Sequence, residues 1–355
     1  MPYAVQYPRY GGVDVLEVVD MVKPAAGAGE VVVQVMAAGL NPIDSSIREG
    51  RFADKWPPHF PESQGSDFAG FISDVGLGVT GWAINDAVIG HVRHGAQASY
   101  VTVPAANIIA KPDRLAWEAA GSLYLSGATA WEAVEAAGPK PGMTVLVQAA
   151  AGGVGILAAQ LARMRGATVI GTALRENFDY LRQWGVIPIE HGPDLALRLP
   201  EVAPDGIDVE LKHDVYETFD IVNSADTGVM ARIAVDIANR QLSLPIAAIY
   251  LLGQVQDAYR ELEAGHAHGK ILLSMLPVGY SHQKVHGVDI REVEATRDDP
   301  NRPPIPHQEE ALPPVIGHYN PHEPEHDKQH EKQHEKQHEG LFHLHGKRPK
   351  KEDGE

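Results

Sequence analysis

Residues Lys140–Ala173 read KPGMTVLVQAAAGGVGILAAQLARMRGATVIGTA and contain, in order, a turn, a strand, a glycine loop, a helix and a second strand. Thr144 to Gln148 form a short apolar run of the kind found in a parallel strand that is buried on both faces. The loop is Ala151–Gly155, Ile156–Arg165 has the pattern of an amphipathic helix, and the next strand begins at Ala167–Gly171. This order predicts a β-α-β unit.

The β-α-β context gives the glycines of the loop a specific meaning. Glycines at a strand-to-helix turn let the backbone approach a pyrophosphate, whose charge is met by the amide groups and the positive end of the helix dipole. A structural turn without a ligand is the alternative interpretation. We favour dinucleotide binding, with the pyrophosphate at Gly152, Gly153, Val154 and Gly155.

The end of the second strand, Gly171–Arg175, bears on which dinucleotide binds. NAD sites usually place an Asp or Glu at this point to bond the ribose hydroxyls, whereas NADP sites omit the acid and supply a cation for the 2′-phosphate. No acid lies at the strand tip, and Arg175 follows directly. The sequence therefore favours NADPH, the alternative being that Arg175 is an ordinary solvent-facing helix residue.

The sequence before this unit is rich in predicted strands. GEVVVQVMAAGLNP, DFAGFISDVGLGV, DAVIGHV and ASYVTVPAANI each combine β-branched residues with glycine-rich connections. Short strands with frequent glycines predict a compact barrel-like domain over roughly the first 120 residues. Pattern alone leaves open a β-barrel with no chemistry of its own.

Composition excludes several classes of function. The 355 residues, 44% of them hydrophobic, suffice for two domains, and the formal net charge of -17 argues against binding to nucleic acid or an anionic membrane. The absence of cysteine excludes disulfides, thiolate nucleophiles and cysteine-ligated zinc. With no apolar leader and no apolar window of membrane-spanning length, we expect a soluble cytoplasmic protein.

The C-terminal part has a different composition. From Tyr280 to Glu355 the chain is rich in proline, charge and histidine, and we expect a mostly unstructured tail because so little apolar surface can be buried. His330-Glu331-Lys332-Gln333-His334 matches the H-E-x-x-H pattern of zinc peptidases, but the same pattern recurs one repeat later, and His326–Glu339 contains no aliphatic or aromatic residue. A peptidase helix is therefore excluded.

The tail histidines still bear on metal binding. His326, His330, His334 and His338 are spaced i, i+4, so a transient helix would present them on one face to chelate Zn²⁺ or Ni²⁺ loosely. A solvated low-complexity tail is the alternative. We predict no dedicated metal site.

Taken in order, eight motifs resemble one family: GLNPID, QGSDFAG, GWAINDAVIG, PAANIIAKPD, GATAWEAV, AAAGGVG, GTALRENFDYLRQWG and GHAHGKILL. The chain from Met1 to Ser274 is similar to the zeta-crystallin-like quinone oxidoreductase branch of the medium-chain dehydrogenase/reductase superfamily. The resemblance implies an α/β fold in which a GroES-like barrel, residues 1–122 and 245–276, carries an inserted Rossmann domain, residues 123–244. Residues 277–355 would form the tail.

The resemblance also implies a reaction. Zinc-dependent members of the superfamily use a cysteine where this chain has Asn41-Pro42-Ile43-Asp44, so a zinc-free reductase is expected. Its chemistry would be hydride transfer from the nicotinamide C4 of NADPH to a small-molecule quinone or to the β-carbon of an α,β-unsaturated carbonyl compound. Members of the family often form homodimers.

Individual residues are carried over from the family motifs. The resemblance implies catalytic roles for Asn41, Asp44 and Tyr124. It implies cofactor contacts for Thr129, for the four residues of the glycine loop, for Thr172 and Arg175 at the 2′-phosphate, and for Lys270. A plain turn-forming asparagine and a core aromatic are the alternatives for Asn41 and Tyr124.

One segment departs from the family. After Gly206–Val209 the chain offers only ELKHDVYETFD before a family-like stretch resumes, so roughly thirty residues are missing, enough for one βα unit and one strand. The sheet either closes around the gap or becomes unstable. The alternative to an active reductase is a catalytically impaired nucleotide-binding relative whose tail loosely binds divalent metal.

Overall fold

The structure, a computed structural model, describes residues 2–211, 225–265 and 267–275. The tail at 277–355, with His326, His330, His334 and His338, lies outside the described residues, as do residues 212–224 beyond the departure from the family. No helix among the described residues is long and apolar enough to cross a bilayer.

Fourteen strands are defined in the described residues. They are β1 (Tyr3–Tyr7), β2 (Glu17–Asp20), β3 (Glu30–Gly39), β4 (Glu62–Ser63), β5 (Asp67–Val75), β6 (Ala87–His91), β7 (Tyr100–Pro104), β8 (Ile108–Ala110), β9 (Thr144–Val147), β10 (Thr168–Ala173), β11 (Ile187–Glu190), β12 (Val209–Leu211), β13 (Ile246–Leu251) and β14 (Lys270–Ser274).

The described helices are α1 (Pro42–Arg48), α2 (Trp117–Ala120), α3 (Tyr124–Ala137), α4 (Gly153–Met164), α5 (Phe178–Gln183), α6 (Leu195–Val202), α7 (Thr227–Ala238) and α8 (Val255–Ala264). Helix α4 therefore begins at Gly153, three residues before the predicted start at Ile156, because the glycine loop itself forms the first turn.

A seven-stranded sheet in the order β13-β14-β3-β5-β6-β8, with β7 also paired to β3, forms the barrel lobe. Strand β3 is central to this sheet and pairs with β5, β7 and β14. Its valines are buried, and register shifts at Val32/Val33 and Val35/Ala37 bend the strand so that the sheet curls. Strand β14 joins β3 through Ala37–Gly39. The last described strand therefore completes a sheet begun by the first forty residues.

The Rossmann lobe is a four-stranded parallel sheet in the order β11-β10-β9-β12. Strands β9 and β10 and the intervening helix α4 are those predicted from Lys140–Ala173, within a residue or three at each boundary. The order corresponds to 3-2-1-4 of a doubly wound dinucleotide-binding sheet, which usually has six strands. Within the described residues the sheet ends at β12, so its four strands are contiguous.

The two lobes share a hydrophobic core. Ile43, Ala69 and Ile89 from the barrel lobe belong to the same buried cluster as residues of α3, α4, β9 and β10. Helix α3 lies at this junction and packs against α4. Side chains at the start of α3 are therefore placed between the dinucleotide loop and the barrel.

Candidate active site

The glycine loop is built for close approach of the backbone. A methyl group at Gly155 would lie 2.3 Å from the carbonyl oxygen of Ala149, and one at Gly153 would lie 2.5 Å from the Cδ atom of Lys270. A methyl group at Gly152 would make only an ordinary van der Waals contact, 3.4 Å from the carbonyl oxygen of Ala149. Gly153 and Gly155 are thus required by packing, whereas an alanine would fit at Gly152.

The first turn of α4 presents free amide groups. The N–H of Ile156 bonds the carbonyl of Gly152 at 2.9 Å, but no acceptor among the described residues meets the N–H groups of Gly153, Val154 and Gly155. No side chain caps the helix. Unpaired amides at the positive end of a helix dipole form an anion site, as predicted for the pyrophosphate.

Thr172 lies behind the loop. Its hydroxyl accepts a bond from the amide of Ala149 at 2.9 Å and donates to Gln148 Oε1 at 2.9 Å. The side chain is buried, and its polar capacity is used to hold the strand-to-loop transition. A direct contact between Thr172 and a 2′-phosphate stays a prediction, while the position of Thr172 at the tip of β10 agrees with the motif.

Arg175 follows the tip of β10 and is 78% exposed. Its Nε donates to Glu190 Oε2 at 2.9 Å, and Nη1 of Arg198 donates to the same oxygen at 3.1 Å. Glu190 ends β11 and lies opposite Ala173 in the parallel register. The sequence analysis identified Arg175 but neither Glu190 nor Arg198, because their proximity depends on strand pairing.

A second group of polar residues lies at the barrel side of the junction. The backbone N–H of Asn41 donates to Asp44 Oδ2 at 2.9 Å, and the Ser66 hydroxyl donates to Asp44 Oδ1 at 2.5 Å. Asp44 is fully buried and caps the start of α1. Its position next to Asn41 agrees with the predicted motif, but its carboxylate is engaged within the protein.

The side chain of Asn41 is turned away from the helix and toward two charged groups. Its Nδ2 donates to Asp67 Oδ2 at 3.2 Å, and its Oδ1 accepts from Lys270 Nζ at 2.5 Å. Lys270 also donates to the carbonyl of Leu40 at 2.9 Å. The amide is therefore fixed by an acid on one side and a base on the other, which is more than a turn-forming asparagine needs.

Lys270 links the two parts of the site. Only 5% of this residue is exposed, its aliphatic stem lies against Gly153, and its ammonium group bonds Asn41 in the barrel lobe. The structure thus brings together the glycine loop, Lys270, Asn41 and Asp44. We name the group Asn41, Asp44, Asp67 and Lys270 the junction cluster.

Burial controls the charges of the junction cluster. Desolvation raises the pKa of Asp44 to about 7, against hydrogen bonds from Ser66 and the amide of Asn41 that lower it. Desolvation also raises the pKa of Asp67 and lowers that of Lys270, and the attraction between these two groups opposes both shifts. The protonation states of Asp44, Asp67 and Lys270 therefore depend on one another, because all three groups are buried.

Tyr124 begins α3 and packs against the ring of His91, with the ring centroids 4.5 Å apart. Burial, followed by the charges of Asp67 and Asp226, raises the pKa of Tyr124 to about 12. Burial lowers the pKa of His91 to about 4, so its ring is neutral at physiological pH. The hydroxyl of Tyr124 consequently remains protonated beside an uncharged imidazole.

Asp67 fixes the position of Tyr124 relative to the junction cluster. Its Oδ1 accepts from the amide of Leu125 at 2.9 Å, while its Oδ2 accepts from Asn41. Farther along α3, the buried hydroxyl of Thr129 has no hydrogen-bond partner among the described residues. Sequence reasoning missed Asp67 and His91, although an acid inside the apolar strand of QGSDFAG was a usable signal.

Comparisons with known proteins bear on the fold. Residues 27–113 match the alcohol dehydrogenase GroES-like domain family. The chain is 36% identical over 206 residues to the synaptic vesicle membrane protein VAT-1 homolog of Rattus norvegicus, which covers 56% of this chain and 50% of the relative. It is 31% identical over 193 residues to the chloroplastic quinone-oxidoreductase homolog of Spinacia oleracea, covering 52% and 59%.

The chain thus spans about half the length of the curated relatives it matches. The structure of the quinone oxidoreductase from Coxiella burnetii superposes with a TM-score of 0.67 at 27% identity, covering 78% of this chain and 99% of that one. The predicted α/β fold, a GroES-like barrel with a Rossmann domain, is confirmed. The chain is therefore similar to quinone oxidoreductase-like proteins of the medium-chain dehydrogenase/reductase superfamily.

Proposed function

We propose that the chain is an NADPH-dependent, zinc-free reductase that transfers a hydride to a quinone or to an α,β-unsaturated carbonyl compound. One observation carries the proposal: Lys270 touches the glycine loop with its stem and the junction cluster with its ammonium group. A pyrophosphate site in one lobe and a polar cluster in the other are therefore separated by the length of a single side chain. The relatives named quinone oxidoreductase support the same reaction class.

The residues present fit a nicotinamide dinucleotide. The unpaired amides of Gly153, Val154 and Gly155 suit the pyrophosphate. Arg175 suits a 2′-phosphate, and the unpartnered hydroxyl of Thr129 is available at the junction. When bound, the cofactor supplies the hydride from its C4 atom.

The side chains at the junction would hold the acceptor and a proton. Asn41 has one Nδ2–H left after its bond to Asp67, and a fixed donor of this kind stabilises charge that develops on an acceptor oxygen. The hydroxyl of Tyr124 is protonated at neutral pH and is the proposed proton donor. Its raised pKa makes it a weaker acid than a free tyrosine, so donation would occur only as negative charge develops on the acceptor oxygen. The buried surroundings of both residues exclude water.

A second candidate is a nucleotide-binding protein without turnover. The observation that favours it is the four-stranded sheet, which within the described residues ends at β12. Elements that extend such a sheet beyond this strand usually wall the nicotinamide end of the site. A shortened sheet is compatible with retention of the glycine loop and loss of the acceptor pocket.

Titration of the full chain with NADPH and, in parallel, NADH, followed by nicotinamide fluorescence, separates the two candidates. The reductase predicts saturable binding that is tighter for NADPH, then oxidation on addition of a 1,4-quinone, with the rate unchanged by EDTA. Binding without oxidation would support the second candidate. Absence of binding would contradict both.

A pair of variants tests the proton donor. Tyr124→Phe keeps the ring against His91 but removes the hydroxyl, so turnover should fall at least about tenfold while the Kd for NADPH is unchanged. Tyr180→Phe is the matched control, because it also removes a buried tyrosine hydroxyl but lies on α5. Equal turnover of Tyr124→Phe and wild type would remove Tyr124 from the mechanism.

A further inference from the structure

Three side chains meet beyond the tips of β10 and β11. Arg175 Nε and Arg198 Nη1 both donate to Oε2 of Glu190, at 2.9 and 3.1 Å. Because each nitrogen lies within about 3 Å of the same oxygen, the two nitrogens are at most about 6 Å apart. Two guanidinium groups from different elements thus converge on a single carboxylate oxygen.

The position of this group relative to the glycine loop is fixed by strand pairing. Strand β10 lies between β9, which leads into the loop, and β11, which ends at Glu190. In dinucleotide-binding folds the adenosine ribose lies at the carboxyl end of the second strand, here β10. A 2′-substituent on that ribose would face Arg175. Arg198 would lie on the other side of the Glu190 carboxylate that the two arginines share.

The charges of the three residues suit a phosphate better than a carboxylate. Two arginines and one glutamate leave a net charge of about +1. The hydrogen bond and charge of Arg175, and then those of Arg198, lower the pKa of Glu190 and keep it ionised. A phosphomonoester offers about two negative charges and three oxygens where Glu190 uses one oxygen, and it accepts paired bonds from guanidinium groups.

Arg198 has a further feature that an ordinary surface ion pair lacks. Its side chain is 28% exposed, and its Nε is buried without a hydrogen-bond partner among the described residues. Arg175, in contrast, is 78% exposed, and its Nη groups have no hydrogen-bond partner among the described residues. The pair therefore combines one partly buried guanidinium with one that is accessible to a ligand.

We propose that Arg175, Arg198 and Glu190 form an exchange site for a phosphomonoester, in which the 2′-phosphate of the adenosine replaces Glu190 between the two arginines. The inference rests on the proposed dinucleotide site and extends it by two residues. Glu190 holds the guanidinium groups in place while the site is empty and gives them up to a ligand of greater charge. Selectivity for NADPH over NADH is the expected consequence.

The test uses 2′,5′-ADP and 5′-AMP, which differ in the 2′-phosphate and lack the nicotinamide half. Calorimetric titration of the full-length wild type should give at least about tenfold tighter binding of 2′,5′-ADP. Arg198→Met should remove most of this difference without changing the Kd for 5′-AMP. Glu190→Gln, which removes the competing charge, should tighten 2′,5′-ADP several-fold.

Arg182→Met serves as the control, because it removes another exposed, ion-paired arginine of the same lobe and should change neither ligand. The preference of the wild type for 2′,5′-ADP should also weaken as salt is raised from 50 to 500 mM, and that of Arg198→Met should change less.

Two results would overturn the exchange site: an unchanged ratio of the two Kd values in Arg198→Met, or weaker binding of 2′,5′-ADP by Glu190→Gln. Neither result depends on turnover. A chain that binds 2′,5′-ADP as expected but fails to oxidise NADPH would refute the reductase and leave the exchange site standing. A chain that oxidises NADPH and NADH with equal Kd values would refute the exchange site and the preference for NADPH, but not the hydride transfer.

Discussion

Replacement of Lys270 by methionine tests whether the junction cluster depends on its buried positive charge. Methionine keeps the length and the apolar stem against Gly153 but removes the ammonium group that bonds Asn41 and Leu40. Asp67, which is 0% exposed, then loses its nearby cation. Leaving a buried charge without a compensating charge costs about 3–5 kcal/mol, so we expect Lys270→Met to lower the free energy of unfolding by up to about that amount.

Urea denaturation followed by tryptophan fluorescence, together with thermal melting, measures the loss. A destabilisation of this size corresponds to a fall in Tm of roughly 6–20 °C. The loss should shrink at low pH, because protonation of the buried carboxyl groups removes the uncompensated charge. It should shrink likewise in the double variant Asp67→Asn/Lys270→Met, in which the acid is neutral at every pH.

Two outcomes would refute this reasoning. One is a loss below about 1 kcal/mol in Lys270→Met, which would mean that the ammonium group is not needed to balance the cluster. The other is an equal or larger loss in the double variant, which would mean that lost packing rather than unpaired charge determines the effect.

Three further predictions concern other parts of the site. Gly155→Ala should lower the free energy of unfolding by roughly 2 kcal/mol and abolish NADPH binding, because its methyl group would meet the carbonyl of Ala149. Gly152→Ala should fold normally. Thermal melting of both variants measures the difference. The stability of the wild type should fall as the pH is raised from about 4 to 7, because folded Asp44 keeps a proton that the unfolded chain has lost. The urea midpoint of Asp44→Asn should change less over this range. Parallel pH profiles of the two proteins would contradict the raised pKa of Asp44. Thr172→Val should cost about 1–3 kcal/mol in the same assay, since it leaves the buried amide of Ala149 without its acceptor.

The dinucleotide half of the site was predictable because its signals are local. A strand, a glycine loop and a helix follow one another within Lys140–Ala173, and each element imposes its own spacing on the sequence. The boundary error at α4, which begins at Gly153 instead of Ile156, has a physical cause. Glycine is a poor helix former, so its presence argued for loop at positions where packing against Ala149 and Lys270 selects helix.

The junction cluster could be predicted only in part. Asn41, Asp44 and Lys270 came from family motifs, but their contacts join residues more than two hundred positions apart. The acid in QGSDFAG marks Asp67 as unusual within an apolar strand, but its burial beside Asn41, and the place of His91, follow only from the fold. The pairing of β5 with β6, which sets Asp67 opposite His91, is a tertiary fact.

The place of β14 in the barrel sheet has a consequence for biosynthesis. Strands β9 to β12 lie within residues 144–211, and among the strands that the structure describes they pair only with one another. This sheet can therefore assemble as soon as that stretch has left the ribosome. The barrel sheet cannot be completed at that stage, because the edge of β3 at Ala37–Gly39 stays unpaired until β14 has been synthesised. Nascent chains halted before Lys270 should therefore expose an unpaired strand edge and be the species that chaperones bind.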